Sequence, residues 1–290
     1  MSKPLVLFTA PVGTRSGYGA HSRDIARSLI AMDRFDIKIF PVRWGSTPQN
    51  ALNEKDPNDI EIIKRLLANP NMERQPDIHF HCVIPNEFMT VAKYNIGITA
   101  GIETTACPQE WLDGMNRMDL NIVPSNFTKE VFENCIYDRI DNNTKKVLGN
   151  IKNEKPIEVL FEGADTSIYK KPNKISKELK AEFKKIPESF LFLYVGHWLS
   201  GSIGNDRKDT GMLVKVFLET FKNHKKKPAL LMKTNSADFS ILDREEMRKR
   251  IRDIKNSVKG EDLPNIYLLH GDLTDEEMNE LYHHPRVKAH

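Results

Sequence analysis

The chain has 290 residues, 39% of them apolar and 29% charged, and its 43 lysines and arginines against 40 aspartates and glutamates leave a net charge of +3. That length suits two domains of ordinary size, each able to bury a core, and the composition excludes a disordered or collagenous chain. No apolar run approaches the roughly 20 residues of a membrane span, and the cysteines, Cys82, Cys107 and Cys135, contain no CxxC pair, which argues against a disulfide framework or a zinc knuckle.

In chain order, the strand-like run LVLFT at residue 5 comes first. It begins at Pro4 and leaves no room for a secretory signal, so the expected compartment is a reducing cytoplasm. Next comes TAPVGTRSGYGAHSRDIARSL, residues 9 to 29, a glycine-rich loop running into a helix. Ile25, Leu29 and Met32 fall at helical spacing with Ala26 and Ile30 beside them, while Arg23, Asp24 and Arg27 are expected to face away. Glycine lets a ligand approach the main chain, and the helix start offers N–H groups and the positive dipole end to an anion. The spacing from Gly13 is G-x-x-x-G-x-G, which is neither the dinucleotide fingerprint nor a Walker loop. A plain turn and a phosphate or sugar site both remain open.

Strand-like runs follow at FDIKIF (35), DIHFHC (77), YNIGITA (94) and DLNIVPS (119), separated by helical patterns. This alternation predicts βαβ units and a parallel sheet. In DIHFHC, His79 and His81 share one strand face, and His81 lies nearer the carboxyl end, where open α/β sheets bind ligands. No third ligand of matching spacing accompanies them, so a metal is not expected. Glu103 follows the next strand and either accepts hydrogen bonds from sugar hydroxyls or caps the helix opened by Pro108.

A second series starts after a lysine- and asparagine-rich stretch around 141 to 155: IEVLF (157), FLFLYVG (190), ALLMKT (229) and NIYLLHG (265), with RVKAH as the opening of one more strand. The domain boundary is expected between Asp165 and Ser189, dividing the chain into residues 1–168 and 169–290. Thr274 and Glu277 match a capping box. In YVGHWLSGSIGNDRKDTGMLVKVF, Arg207 and Lys208 precede a helix whose dipole disfavours cations, which suggests an anion held between them and the backbone N–H groups. The clusters HKKKP and YKKPNK lack interleaved aromatics and read as solvated surface more than as a nucleic-acid patch.

Six segments taken together resemble the family-4 retaining glycosyltransferases, whose GT-B architecture places two Rossmann-like domains with parallel sheets on either side of a cleft. They are SGYGAHSRDIARSL, PDIHFH, the pair IETTACPQEW and VPSNFTKEVF, VLFEGADTSIY, VGHWLSGSIGNDRKDTGMLVKVF and NIYLLHGDLTDEEMNELY. The resemblance implies a glycosyltransferase using a nucleotide-sugar, with donor contacts from Gly17, Gly19, Arg207 and Lys208. His197 stands where the family has arginine. It further implies a functional His81, acceptor contacts from Tyr18 and Glu103, and no obligatory metal or other cofactor. The glutamate-containing donor loop of the family is not reached, so the second domain is expected to be incomplete. A catalytically incomplete nucleotide- or glycan-binding protein is the alternative, and a phosphorolytic or epimerising enzyme competes with both. The acceptor, whether a glycan, a lipid or hydroxylated-base DNA, stays open, as does a peripheral position at a membrane surface.

Overall fold

The computed structural model describes residues 3–141, 143–199, 203–206, 208–236 and 238–290. The chain divides into two compact units, Met1–Gly163 and Ala164–His290. The division falls in the stretch after residue 160, which carries turns but no strand until residue 191 and no helix until Lys177.

In the first unit, β1 (Leu5–Ala10), β2 (Asp36–Pro41), β3 (Ile78–Cys82), β4 (Tyr94–Ile98), β5 (Leu120–Val123) and β8 (Ile157–Val159) form a six-stranded sheet in the order β2-β1-β3-β4-β5-β8. Each of its pairings is parallel. The connections carry α1 (Gly17–Ala31), α2 (Pro57–Ile63), α3 (Gln109–Arg117) and α4 (Asn126–Asn134). Every residue of β1 is buried, as a central parallel strand covered on both faces requires. One core gathers Val6, Phe8, Ala26, Ile39 and Ile62; another gathers Leu112, Met115, Phe132 and Ile157. The chain leaves β1 for β2 on one side and returns to β3 on the other, so the sheet's switch point lies at the carboxyl ends of β1 and β3.

In the second unit, β9 (Leu191–His197), β10 (Ala229–Asn235), β11 (Ile266–Leu269) and β12 (Val287–Ala289) form a four-stranded parallel sheet in the order β11-β10-β9-β12. Its helices are α5 (Lys177–Lys184), α6 (Thr210–Phe221), α7 (Ile241–Ser257) and α8 (Asp275–Tyr282). Leu230 and Met232 pack into one core with α6 and α7, and the alternate Ala229 and Leu231 into another with α5. The period-two alternation of a strand thus supplies both faces from one apolar run. Here the switch point lies at the carboxyl end of β9. Among the described residues no helix is long and apolar enough to cross a membrane.

Several expectations are corrected. IEVLF does not open the second sheet: Ile157–Val159 pairs with β5 and closes the first, because its partner edge is set by tertiary packing. The lysine- and asparagine-rich stretch, for which no element is expected, holds the turn and second strand of an antiparallel hairpin of β6 (Tyr137–Ile140) and β7 (Val147–Ile151). In α1, Met32 is the C-cap and 55% exposed, and the inward face is Gly19, Ser22, Ala26 and Leu29. Arg23 turns back onto the preceding loop and donates to the carbonyls of Val12 and Thr14 at 3.0 and 2.9 Å.

Candidate functional site

The first unit places the glycine-rich loop at its switch point. β1 ends at Ala10, the loop crosses to Ser16, and Ser16 caps α1 by accepting from the Gly19 N–H at 2.9 Å. The two candidate glycines do different things. A Cβ on Gly19 would stand 2.2 Å from the Thr14 carbonyl oxygen, so glycine is required there for packing. A Cβ on Gly17 would meet nothing within 4 Å, which leaves its main chain open to an approaching group. Tyr18 between them stacks on Trp44 with ring centroids 4.1 Å apart. Its hydroxyl lies 2.9 Å from Thr99 Oγ1 and accepts from the Ala100 N–H at 3.0 Å, fastening the start of α1 to the end of β4. Burial pushes this phenol up to about 12.

On β3, His79 and His81 are 1% and 3% exposed, and their rings lie 5.1 Å apart. They grip opposite ends of one residue. His79 Nδ1 lies 3.2 Å from the Met89 carbonyl, which can only accept, so Nδ1 carries the proton; Nε2 then accepts from Thr9 Oγ1 at 3.0 Å. His81 Nδ1 accepts from the Met89 N–H at 3.1 Å, which places its proton on Nε2 as a donor. Burial pushes His79 down to about 4 and His81 down to about 3, so both rings are neutral near pH 7.

Glu103 is exposed in the segment after β4. It does not cap α3, which opens six residues later at Gln109 behind Pro108 with no side-chain cap. Sequence reasoning passed over His21, which sits on α1 with its side chain 13% exposed and its Nδ1 3.8 Å from Glu162 Oε1. Its carboxylate partner lies beyond β8, too remote in sequence for any spacing to reveal.

In the second unit the candidate residues gather at the carboxyl end of β9. A Cβ on Gly196 would lie 2.9 Å from Lys208 Nζ and 3.0 Å from the Tyr194 hydroxyl, so the absence of a side chain there makes room for the lysine. His197 ends the strand, opposite Asn235 of β10. Arg207 lies outside the described residues. The helix behind this loop is not bare of acids: α6 starts at Thr210 after Asp209 in the left-handed region, at φ 46°. Asp206 Oδ2 accepts from the Thr210 N–H at 3.2 Å and from its hydroxyl at 2.8 Å, and the Tyr194 hydroxyl meets Thr210 Oγ1 at 2.7 Å. Lys208 therefore stands at a helix start already capped by a carboxylate.

A further polar cluster closes the ends of β10 and β11. Asp243 of α7 accepts from the Ser236 N–H and hydroxyl and lies 2.8 Å from His270 Nε2. Burial pushes this carboxyl up, but hydrogen bonds from Ser236 and His270 outweigh it and hold it below the ordinary range. Lys233 Nζ lies 5.1 Å from the centroid of the Phe239 ring. Among the described residues no group of three or more His, Cys, Asp or Glu side chains is placed to hold a metal ion.

No family model and no curated protein matches the chain. Solved structures do. A trehalose-6-phosphate synthase, OtsA, aligns with 97% of this chain and 76% of its own at 12% identity, with a TM-score of 0.52. An E. coli structure described as trehalose-6-phosphate bound with UDP-2-fluoro glucose aligns over 97% and 76% at 12% identity and a TM-score of 0.51. A UDP-forming α,α-trehalose-phosphate synthase from Burkholderia xenovorans in complex with glucose-6-phosphate aligns over 96% and 77% at 11% identity and 0.50. The chain shares the fold of these enzymes. The α/β fold with two parallel sheets expected from the sequence is thereby found, and the sheet of the second unit holds four strands among the described residues. Identities of 11–12% carry architecture alone and leave membership of family 4 at the level of a resemblance.

Proposed function

We propose that the chain acts in glycosyl transfer, moving a sugar from a nucleotide-sugar donor to an acceptor hydroxyl with retention at the anomeric carbon. The observation that carries this reading is the arrangement at the end of β9, where Gly196 makes room for the Lys208 ammonium at a sheet's switch point. The shared fold with a structure holding UDP-2-fluoro glucose makes a UDP-sugar the first donor to test. In this reading the bond from the anomeric carbon to the diphosphate breaks with its electron pair on the leaving oxygen, the acceptor oxygen bonds to the anomeric carbon from the same face, and the acceptor hydroxyl's proton passes to the leaving diphosphate oxygen. Lys208 faces the charge that develops there, an electrostatic stabilisation that needs no proton transfer from the protein. Gly17 and the N-terminus of α1 supply an open main chain and a positive dipole end to an anionic substrate group. His81, neutral and a donor through Nε2, hydrogen-bonds a sugar hydroxyl, and Glu103 accepts from another.

The test is a thermal-shift series with UDP, GDP, ADP and their sugars on the full chain, since a ligand that binds the folded state raises its apparent stability. UDP or a UDP-sugar is expected to raise the Tm, and Lys208→Ala to abolish the shift without lowering the Tm of the free protein. Gly196→Ala meets the flexible end of Lys208 at 2.9 Å and the Tyr194 hydroxyl at 3.0 Å, so it should fold with at most a small loss of stability while displacing Lys208 and losing the same shift. Should no nucleotide or nucleotide-sugar shift the wild type, the donor assignment is wrong.

A further inference from the structure

β11 is one of the two outer strands of the second sheet and, among the described residues, pairs with β10 alone. The Leu230 N–H donates to the Asn265 carbonyl, and the register sets Leu230 beside Ile266. In a parallel ladder the groups facing the partner alternate along the strand, so the amides and carbonyls of Ile266 and Leu268 point to the open side. Natural edge strands are protected by a charge, a proline or a bulge. Ile266–Leu269 has none of these: it reads IYLL, and its register with β10 is unbroken.

A cavity of about 650 Å³ wraps this edge. Its floor is apolar: Tyr267 and Leu269 lean towards Phe183 of α5, and Ile266 and Leu268 towards Ile251 of α7. Its rim is basic. Arg248, Arg252 and Lys255 project from one stripe of α7, and Lys185 stands at the end of α5. Glu182 neutralises Lys185 at 2.7 Å and Glu245 neutralises Arg248 at 3.2 Å. Among the described residues Arg252 and Lys255 enter no ion pair, and Glu182 is the one acid on the lining.

We propose that this edge is a docking site for an acidic, extended segment of a partner protein, which adds to the sheet beside β11. Main-chain hydrogen bonds to Ile266 and Leu268 supply register, alternate apolar side chains fill the slot, and carboxylates meet Arg252 and Lys255. An apolar floor excludes water from those ion pairs and so strengthens them relative to exposed ones. The site is independent of the proposed donor contacts at β9.

The test is fluorescence anisotropy of the full chain with a labelled short peptide of alternating valine and glutamate, set beside an alternating valine and lysine peptide and an N-methylated copy of the acidic one. The acidic peptide is expected to bind saturably, to slow amide exchange at Ile266 and Leu268, and to bind about tenfold or more weakly to the Arg252→Glu, Lys255→Glu double variant. Circular dichroism confirms that this variant is folded; should it not be, Arg252→Gln with Lys255→Gln serves in its place with a smaller loss. Absence of binding to the wild type overturns the proposal. Equal binding of the N-methylated or lysine peptide also overturns it, since strand addition and charge recognition respectively would then be excluded.

Discussion

Two glycines two positions apart in α1, Gly17 and Gly19, show how a single missing methyl group serves opposite ends. At Gly19 the space is filled by the Thr14 carbonyl, 2.2 Å from where a Cβ would stand, and backbone cannot step aside as a side chain can. Gly19→Ala is expected to cost about 1–3 kcal/mol through overpacking of the loop, read as a lowered urea midpoint. Gly17→Ala, facing open space, should stay within about 0.5 kcal/mol of the wild type yet weaken any nucleotide-induced shift. The histidines of β3 make a prediction about acid. Their folded pKa values, about 4 for His79 and about 3 for His81, lie below the ordinary imidazole value of 6.5. Between these limits the unfolded chain binds more protons than the folded one, so stability falls as pH drops from 6.5 towards 4 and is fully present above 6.5. Each histidine contributes a slope of at most about 1.4 kcal/mol per pH unit. Urea midpoints measured from pH 7.5 down to pH 4.5 should decline, and an unchanged midpoint across that range would show that the two rings are not held neutral.

At the scale of the element, the start of α6 decides how the candidate lysine is presented. Asp209, in the left-handed region and without a side-chain cap bond, leaves the first amide of the helix to Asp206. Asp206→Ala removes that acceptor and one of the two partners of the Thr210 hydroxyl together, and is expected to lower stability by about 1–2 kcal/mol, read from urea unfolding. Asp206→Asn keeps an acceptor and should recover most of the loss. How far such features were legible depends on whether their cause was local. The capping box of α8 was readable because both partners lie within one turn, and the structure has Thr274 and Glu277 bonded in both directions. β1, β3 and α6 were readable from apolar periodicity. The β6–β7 hairpin was not, because its residues are exposed along most of both strands and leave no apolar alternation. Nor was the sheet to which β8 belongs, since a short apolar run fits either edge until its neighbour is known. His21 with Glu162 and His270 with Asp243 escaped for the same reason: each pair meets only after the chain has folded.

For the whole molecule, the consequence of two units with separate sheets is separable folding. Every strand of the six-stranded sheet, the hairpin and both of its cores lie within Met1–Gly163. A chain of that length buries about two thirds of its unfolded surface, enough for independent stability. Residues 1–163 produced alone are therefore expected to unfold in a single cooperative urea transition, with sharp and dispersed amide resonances before it. The tryptophans make the assignment direct. Trp44 and Trp111 report on the first unit and the fully buried Trp198 on the second. The shortened chain retains the first two fluorophores, so its fluorescence transition should coincide with its far-ultraviolet one. His79 and His81 also lie in this unit, and its urea midpoint should fall with acid from pH 6.5 as that of the full chain does. A collapsed state that binds hydrophobic dyes and lacks a cooperative transition would show that the first unit requires residues beyond Gly163. Retention of the transition without the acid dependence would instead place the pH response outside β3, because the histidines and the Met89 peptide groups they grip all lie within the shortened chain.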